Sequence, residues 1–199
     1  MSMKSKNKIL IYGGGGIGSY YAGALSKNGH NVTLLTRGDH FKEIEKNGLC
    51  LKTNWGNYKQ EIDLVKKIDN EYDVVILAVK TYSIKSILSD LKFLNNGSNI
   101  ICIQNGTFTY NYLSKHLDEN GINVIDGLTW IDAVRKEAGK VTQTGDEAKI
   151  IFGKNNMSQS EQAELDKLAS NLNSKNVQVS CTEDIGKDVW EKLIMVAAI

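Results

Sequence analysis

Four consecutive glycines, Gly13 to Gly16, followed by Ile17 and Gly18, stand between an apolar run at 9–12 and an amphipathic stretch at 16–28. A second apolar run follows at 31–36. Strand, glycine turn, helix, strand is an order that few folds accept. Two strands joined through a helix pair in parallel with a right-handed crossover, and a parallel sheet needs helices on both faces. The turn itself carries Gly-x-Gly-x-x-Gly in the strand-to-helix context that gives this pattern meaning.

The rhythm continues down the chain. A helical stretch at 39–47 precedes strand-like runs at 49–53 and 58–63, which flank the turn-rich Asn54-Trp55-Gly56-Asn57 and predict an inserted β-hairpin. A continuous apolar run at 74–79 predicts a strand buried on both faces, with a helix at 82–91, a strand at 99–103 and a helix at 110–117. From Val124-Ile125 onward the pattern is irregular, with strand-like pieces at Val141-Thr142 and 150–152. An amphipathic helix is expected at 160–172 with Ser160 as its N-cap, then a strand at 177–181 and a last helix from about Glu183. The expected fold class is α/β: a Rossmann-type parallel sheet with flanking helices and an inserted hairpin. Residues 1–182 form the nucleotide-binding domain on this reading, and 183–199 begin a connecting helix. That helix ends in Leu193-Ile194-Met195-Val196-Ala197-Ala198-Ile199, apolar all round, which demands burial on every side. A sequence cut before a further, helical substrate domain is expected, or a second subunit that covers the helix in a homodimer.

Composition narrows the function classes. Lys+Arg 24 against Asp+Glu 23 gives a net charge of +1, and the two signs are interleaved, so no basic face exists to meet a nucleic acid. No stretch reaches transmembrane length, so no membrane role is expected. The basic 1–8 segment leads into too short an apolar run for a secretory leader. Three scattered cysteines, Cys50, Cys102 and Cys181, suggest neither a disulfide framework nor a zinc site and fit a reducing cytoplasm. His30, His40 and His116 show no ligand spacing, so no metal is expected. Trp130 and Trp190 read as core or interface residues. The absence of proline has no physical account here.

The glycine turn predicts a dinucleotide. Gly13 would make the tight turn, Gly15 admit the pyrophosphate to the backbone, and Gly18 let helix and strand approach, with Gly16 and Ile17 offering N–H donors at the helix head. Roughly twenty residues on, where an NAD site carries an acidic residue, stands Thr36-Arg37. A guanidinium there forks onto a 2′-phosphate, so NADP, as NADPH, is the expected cofactor. Asp39 is the one nearby group that would favour NAD. Two further strand ends carry Lys80 and Asn105, which face the same crevice if the sheet is open. Lys192 shares a helical face with Ile185, Val189, Val196 and Ile199, where an ammonium is costly and poised to act as an acid.

These features together resemble the ketopantoate reductase family. The resemblance rests on the GGGGIG turn, Thr36-Arg37-Gly38, Val79-Lys80-Thr81, Gln104-Asn105-Gly106, the spaced glycines from Gly127 to Gly153, and Trp190-Glu191-Lys192-Leu193. It implies NADPH-dependent reduction of a 2-oxo acid, in the family's named case 2-dehydropantoate to pantoate on the way to coenzyme A. It also implies that Lys192 binds substrate and protonates the forming alkoxide, while Lys80 and Asn105 position the reactants. The family usually has an asparagine four residues after that lysine, where this chain has Val196, and a helical second domain that supplies an acidic residue. Alternatives of other kinds are a non-catalytic regulatory module that senses NAD or NADP, and an NADP-linked dehydrogenase of different substrate.

Overall fold

The structure, a computed structural model, describes residues 7–198. β1 (Lys8–Tyr12), α1 (Gly16–Lys27) and β2 (Asn31–Leu35) follow the expected order, and β1 pairs in parallel with β2. On its other side β1 pairs in parallel with β6 (Val74–Leu77), then come β7 (Asn99–Cys102) and β8 (Asn123–Glu137), also parallel. Within the sheet the chain therefore leaves β1 in both directions, and the carboxyl ends of β1 and β6 open a crevice at the switch point.

Alternation explains why these strands are apolar throughout. Ile9 and Ile11 face Tyr20, Tyr21 and Leu25 of α1 on one side of the sheet. Leu10 and Tyr12 face Val75, Ile84, Leu91 and Leu113 on the other, where α3 (Ile84–Leu91) and α4 (Phe108–Leu117) lie. Each face is a separate core, and burial of both at roughly 25 cal/mol per Å² is the main favourable term.

Several expectations need correction. The hairpin is β3 (Leu49–Thr53) with β4 (Gly56–Gln60), not 58–63: Gly56 takes φ +131°, so the turn closes on Asn54 and Trp55. The residues Asp63–Val65 form β5, which leaves the hairpin to lengthen the parallel sheet beside β2. The stretch read as irregular is a long antiparallel ribbon, β8 with β9 (Lys140–Gly153), folded at Gly139, whose φ is +71°. Its outer half is largely exposed, and register shifts between Ile131 and Ala133 and between Arg135 and Glu137 break the two-residue period that would have marked it. β9 also pairs in parallel with β3 and with β10 (Gln178–Thr182). The N-cap of α5 (Gln159–Leu172) is Ser158, not Ser160. Its hydroxyl accepts from Glu161 N at 3.3 Å while its own N–H donates to Glu161 Oε2 at 2.9 Å, a reciprocal box that Ser160 is placed too late to make.

The last helix, α6 (Ile185–Ala197), is capped by Asp184, whose Oδ1 accepts from Lys187 N at 3.1 Å. Ile185, Val189 and Lys192 are buried against β8 and β9, as their spacing predicts. Burial on every side is not found: Trp190, Ile194, Met195 and Val196 are exposed, so Trp190 is no core residue. Ile199, placed on the same face by its spacing, lies outside the described residues. α2 (Gly38–Asn47) follows β2 directly and completes the helices.

Candidate active site

The glycine turn is held by contact, glycine by glycine. Gly13 adopts φ +121°, and a Cβ there would stand 2.9 Å from Val79 Cγ1. At Gly18 a Cβ would meet Gly13 O at 2.0 Å, so only glycine lets α1 sit this close to β1. Gly14 and Gly16, to which sequence reasoning gave no packing role, are equally confined: Thr36 Oγ1 would lie 2.2 Å from one added methyl and Ala133 O 2.3 Å from the other. Gly15 differs. Nothing lies within 4 Å of a Cβ built on it, and it caps α1 without any side-chain hydrogen bond. The first N–H groups of a helix have no intrahelical acceptor, so this end presents donors and positive potential to an open space. A pyrophosphate fits such a cradle.

A cavity of about 600 Å³ adjoins the turn, and Gly15, Gly16 and Ile17 line it together with Lys192 and Val196. Asn105 and Lys80 line it from the ends of β7 and β6, as the open-sheet argument requires. Gln104 is buried and donates from Nε2 to Leu77 O at 2.7 Å and Val79 O at 3.1 Å, which ties the two strand ends together and aims Asn105. Lys192 Nζ donates to Asn105 Oδ1 at 2.7 Å and to Thr129 O at 2.6 Å, with the Trp130 ring centroid 5.5 Å away. The lysine is 7% exposed, and burial pulls it down from its ordinary 10.5 to about 8. Lys192 and Asn105 thus meet, while Lys80 stays exposed on the cavity wall. Trp130, read as a core or interface residue, packs partly buried against Leu128, Ile185 and Val189, and it also lines the cavity beside the ammonium, a place that sequence reasoning did not give it.

Arg37 lies at the end of β2, exposed. Its Nε donates to Lys66 O at 3.1 Å and its Nη2 is 3.6 Å from Asp90 Oδ2, a surface pair worth little in itself. His40, which spacing left without a role, is buried behind the turn. Its Nδ1 accepts from Gly139 N at 2.9 Å, so Nε2 carries the proton and donates to Ser19 Oγ at 2.9 Å. Burial and the charge of Arg135 push it down to about 4, and it stays neutral. Among the described residues no group of three His, Cys, Asp or Glu side chains is placed to hold a metal, the cysteines are free, and no helix is long and apolar enough to cross a membrane.

A parallel sheet that reverses its winding at β1, a glycine turn at that point and a lysine-floored cleft beside it define the class: an α/β domain of the dinucleotide-binding kind. Comparison with known proteins narrows this. The model of the ketopantoate reductase PanE/ApbA family matches residues 9–157, and the chain belongs to that family. It is similar to an uncharacterized oxidoreductase, YkpB, of Bacillus subtilis, 30% identical over 193 residues that cover 96% of this chain and 62% of the relative. It is also similar to a 2-dehydropantoate 2-reductase of Pyrococcus horikoshii, 31% identical over 197 residues, with the same two coverages. A solved 2-dehydropantoate 2-reductase from Geobacter metallireducens superposes with a TM-score of 0.81 at 26% identity, covering 94% of this chain and 62% of that one. The chain spans about 62% of the length of these relatives. The family is one of oxidoreductases that use a nicotinamide cofactor.

Proposed function

We propose that the protein reduces a small 2-oxo acid with NADPH, 2-dehydropantoate being the first substrate to test because relatives carry that name. The observation that carries the reading is Lys192, a buried ammonium that lines the same cleft as the glycine turn. Gly13, Gly15, Gly16, Ile17 and Gly18 would hold the pyrophosphate, Arg37 the 2′-phosphate, and Lys80 and Asn105 the nicotinamide side. The bound dinucleotide would supply hydride to the carbonyl carbon.

The chain's own part is the proton. An ammonium has three N–H donors, and two are taken by Asn105 Oδ1 and Thr129 O. The third is left for the cavity that Lys192 lines. After that proton passes to the carbonyl oxygen, the neutral amine keeps both remaining bonds, so transfer needs no rearrangement. With a value of about 8 the group is mainly protonated at pH 7 yet a far better acid than a free lysine. The substrate's carbonyl would thus be protonated in place, by a donor that Asn105 and Thr129 already hold.

On this reading residues 1–182 are the nucleotide-binding unit and 183–199 begin a connection that brings Lys192 to it. A regulatory sensor would have no use for a buried ammonium at this spot. The test is NADPH oxidation with a panel of 2-oxo acids, using a polypeptide of the relatives' full length. Lys192→Ala should lower kcat at least about a hundredfold; turnover within threefold of wild type removes the lysine from the chemistry.

A further inference from the structure

The ribbon of β8 and β9 does more than wall the cleft. Its backbone runs directly over the glycine turn, so that a Cβ on Gly16 would meet Ala133 O at 2.3 Å and Arg135 N at 3.0 Å. From there the Arg135 side chain reaches back, and its Nη1 donates to Gly14 O at 3.1 Å. The ribbon's tip is fixed too: Gly139 N donates to His40 Nδ1, and the other nitrogen of that ring bonds Ser19 Oγ on the first turn of α1. Turn, helix and ribbon are thereby joined through three polar contacts and one close backbone approach.

We infer that Arg135 is a positioning residue for the cofactor's pyrophosphate, acting through Gly14. The inference rests on the dinucleotide reading above and adds a residue to it. The Gly14–Gly15 peptide is planar and trans, so its C=O and its N–H point in opposite directions. A guanidinium that fixes Gly14 O therefore also fixes the Gly15 N–H, facing away from Arg135. Gly15 lines the cavity and has no side chain to limit its motion. Nothing lies within 4 Å of a Cβ built on Gly15, so without such a clamp the peptide that leads into it would be free to turn, and the pyrophosphate would have to order it on binding. A cation on the carbonyl also polarises the same peptide and strengthens its N–H as a donor. Arg37 is engaged elsewhere, bonded to Lys66 O and 3.6 Å from Asp90 Oδ2, and it is Arg135 that reaches Gly14 O.

The experiment is calorimetric titration of the 199-residue chain with NADPH, NADH, ADP-ribose and adenosine 2′-monophosphate, before and after Arg135→Ala. The expected result is a loss of about tenfold or more, equal for the three pyrophosphate compounds, with adenosine 2′-monophosphate unaffected. Arg135→Lys, which keeps a cationic donor, should regain part of the loss. If the alanine variant does not fold, Arg135→Gln carries the same test with the same expected pattern. Unchanged affinities overturn the inference. So does a loss confined to NADPH and adenosine 2′-monophosphate, which would place Arg135 at the 2′-phosphate. A wild-type chain that binds no dinucleotide at all overturns the functional reading itself, and this inference with it.

Discussion

Replacing Lys192 with methionine should remove a pH dependence from the stability of this chain. The folded lysine titrates near 8 and the unfolded one near its ordinary 10.5. Below pH 8 both states carry the charge, and the folded state bears the full cost of holding an ammonium in a site only 7% exposed. Between pH 8 and 10.5 the unfolded chain still binds a proton that the folded chain has released, so folding becomes more favourable as pH rises. Above 10.5 the cost has gone. The gap between the two values corresponds to about 3 kcal/mol at 1.36 kcal/mol per pH unit. Urea unfolding of wild type and Lys192→Met at several pH values from 7 to 11 measures this directly, because every other titrating group cancels in the difference. The wild-type stability should climb relative to the variant by about 3 kcal/mol across that range. A difference that stays flat within about 0.5 kcal/mol refutes the desolvated lysine, and with it the poised acid. If Lys192 is the proton donor proposed above, the same titration sets a limb in the activity profile, and kcat should fall above pH 8.

Three other outcomes follow from the geometry. Arg37→Ala should weaken NADPH binding about tenfold or more while leaving NADH within twofold, since only the phosphorylated adenosine needs the fork; equal losses would remove the NADP assignment. Gly15→Ala should leave the melting temperature unchanged, its Cβ being free and its φ an ordinary −75°, yet weaken every dinucleotide, whereas Gly18→Ala should destabilise the free chain because its Cβ strikes Gly13 O. Thermal melts with and without NADPH separate the two, and a Gly15 variant that binds normally would place the pyrophosphate elsewhere. Asp126 is buried under α4, and desolvation raises it from 3.8 to about 6, so above pH 6 the folded state carries the charge at a cost of up to about 3 kcal/mol. Asp126→Asn, which can keep the bond from Gly127 N, should stabilise the chain at pH 7.5, with an advantage that shrinks as pH falls from 6 towards 4. A pH-independent effect would show that the carboxyl is not the cause.

What could be read from the sequence was whatever local chemistry decides. The glycine turn and the buried runs at β1, β2, β6 and β7 announce themselves because a strand covered on both faces has no polar positions to confuse the period. Lys192 was visible for the converse reason: a lone cation on an apolar stripe is an exception to the pattern that surrounds it, and burial is what that exception implied, while its bond to Asn105 is legible only in the fold. The ribbon was not visible. From Asp132 to Glu137 its residues are mostly exposed and two register shifts interrupt its pairing with β9, so neither its strand nor its pairing leaves a two-residue signal. Everything that reached the site along that ribbon was hidden with it: Trp130 beside the ammonium, Ala133 against Gly16, Arg135 on Gly14, and the Gly139 amide that makes His40 a neutral bridge. The two unexplained glycines of the turn were the one available clue. A dinucleotide motif requires glycine at Gly13, Gly15 and Gly18 only, so Gly14 and Gly16 needed another cause: the Thr36 and His40 side chains crowd Gly14, and the ribbon backbone at Ala133 and Arg135 presses on Gly16. Glycine in excess of a motif is therefore a signal of tertiary contact, and here Gly16 pointed to the element that the periodicity concealed.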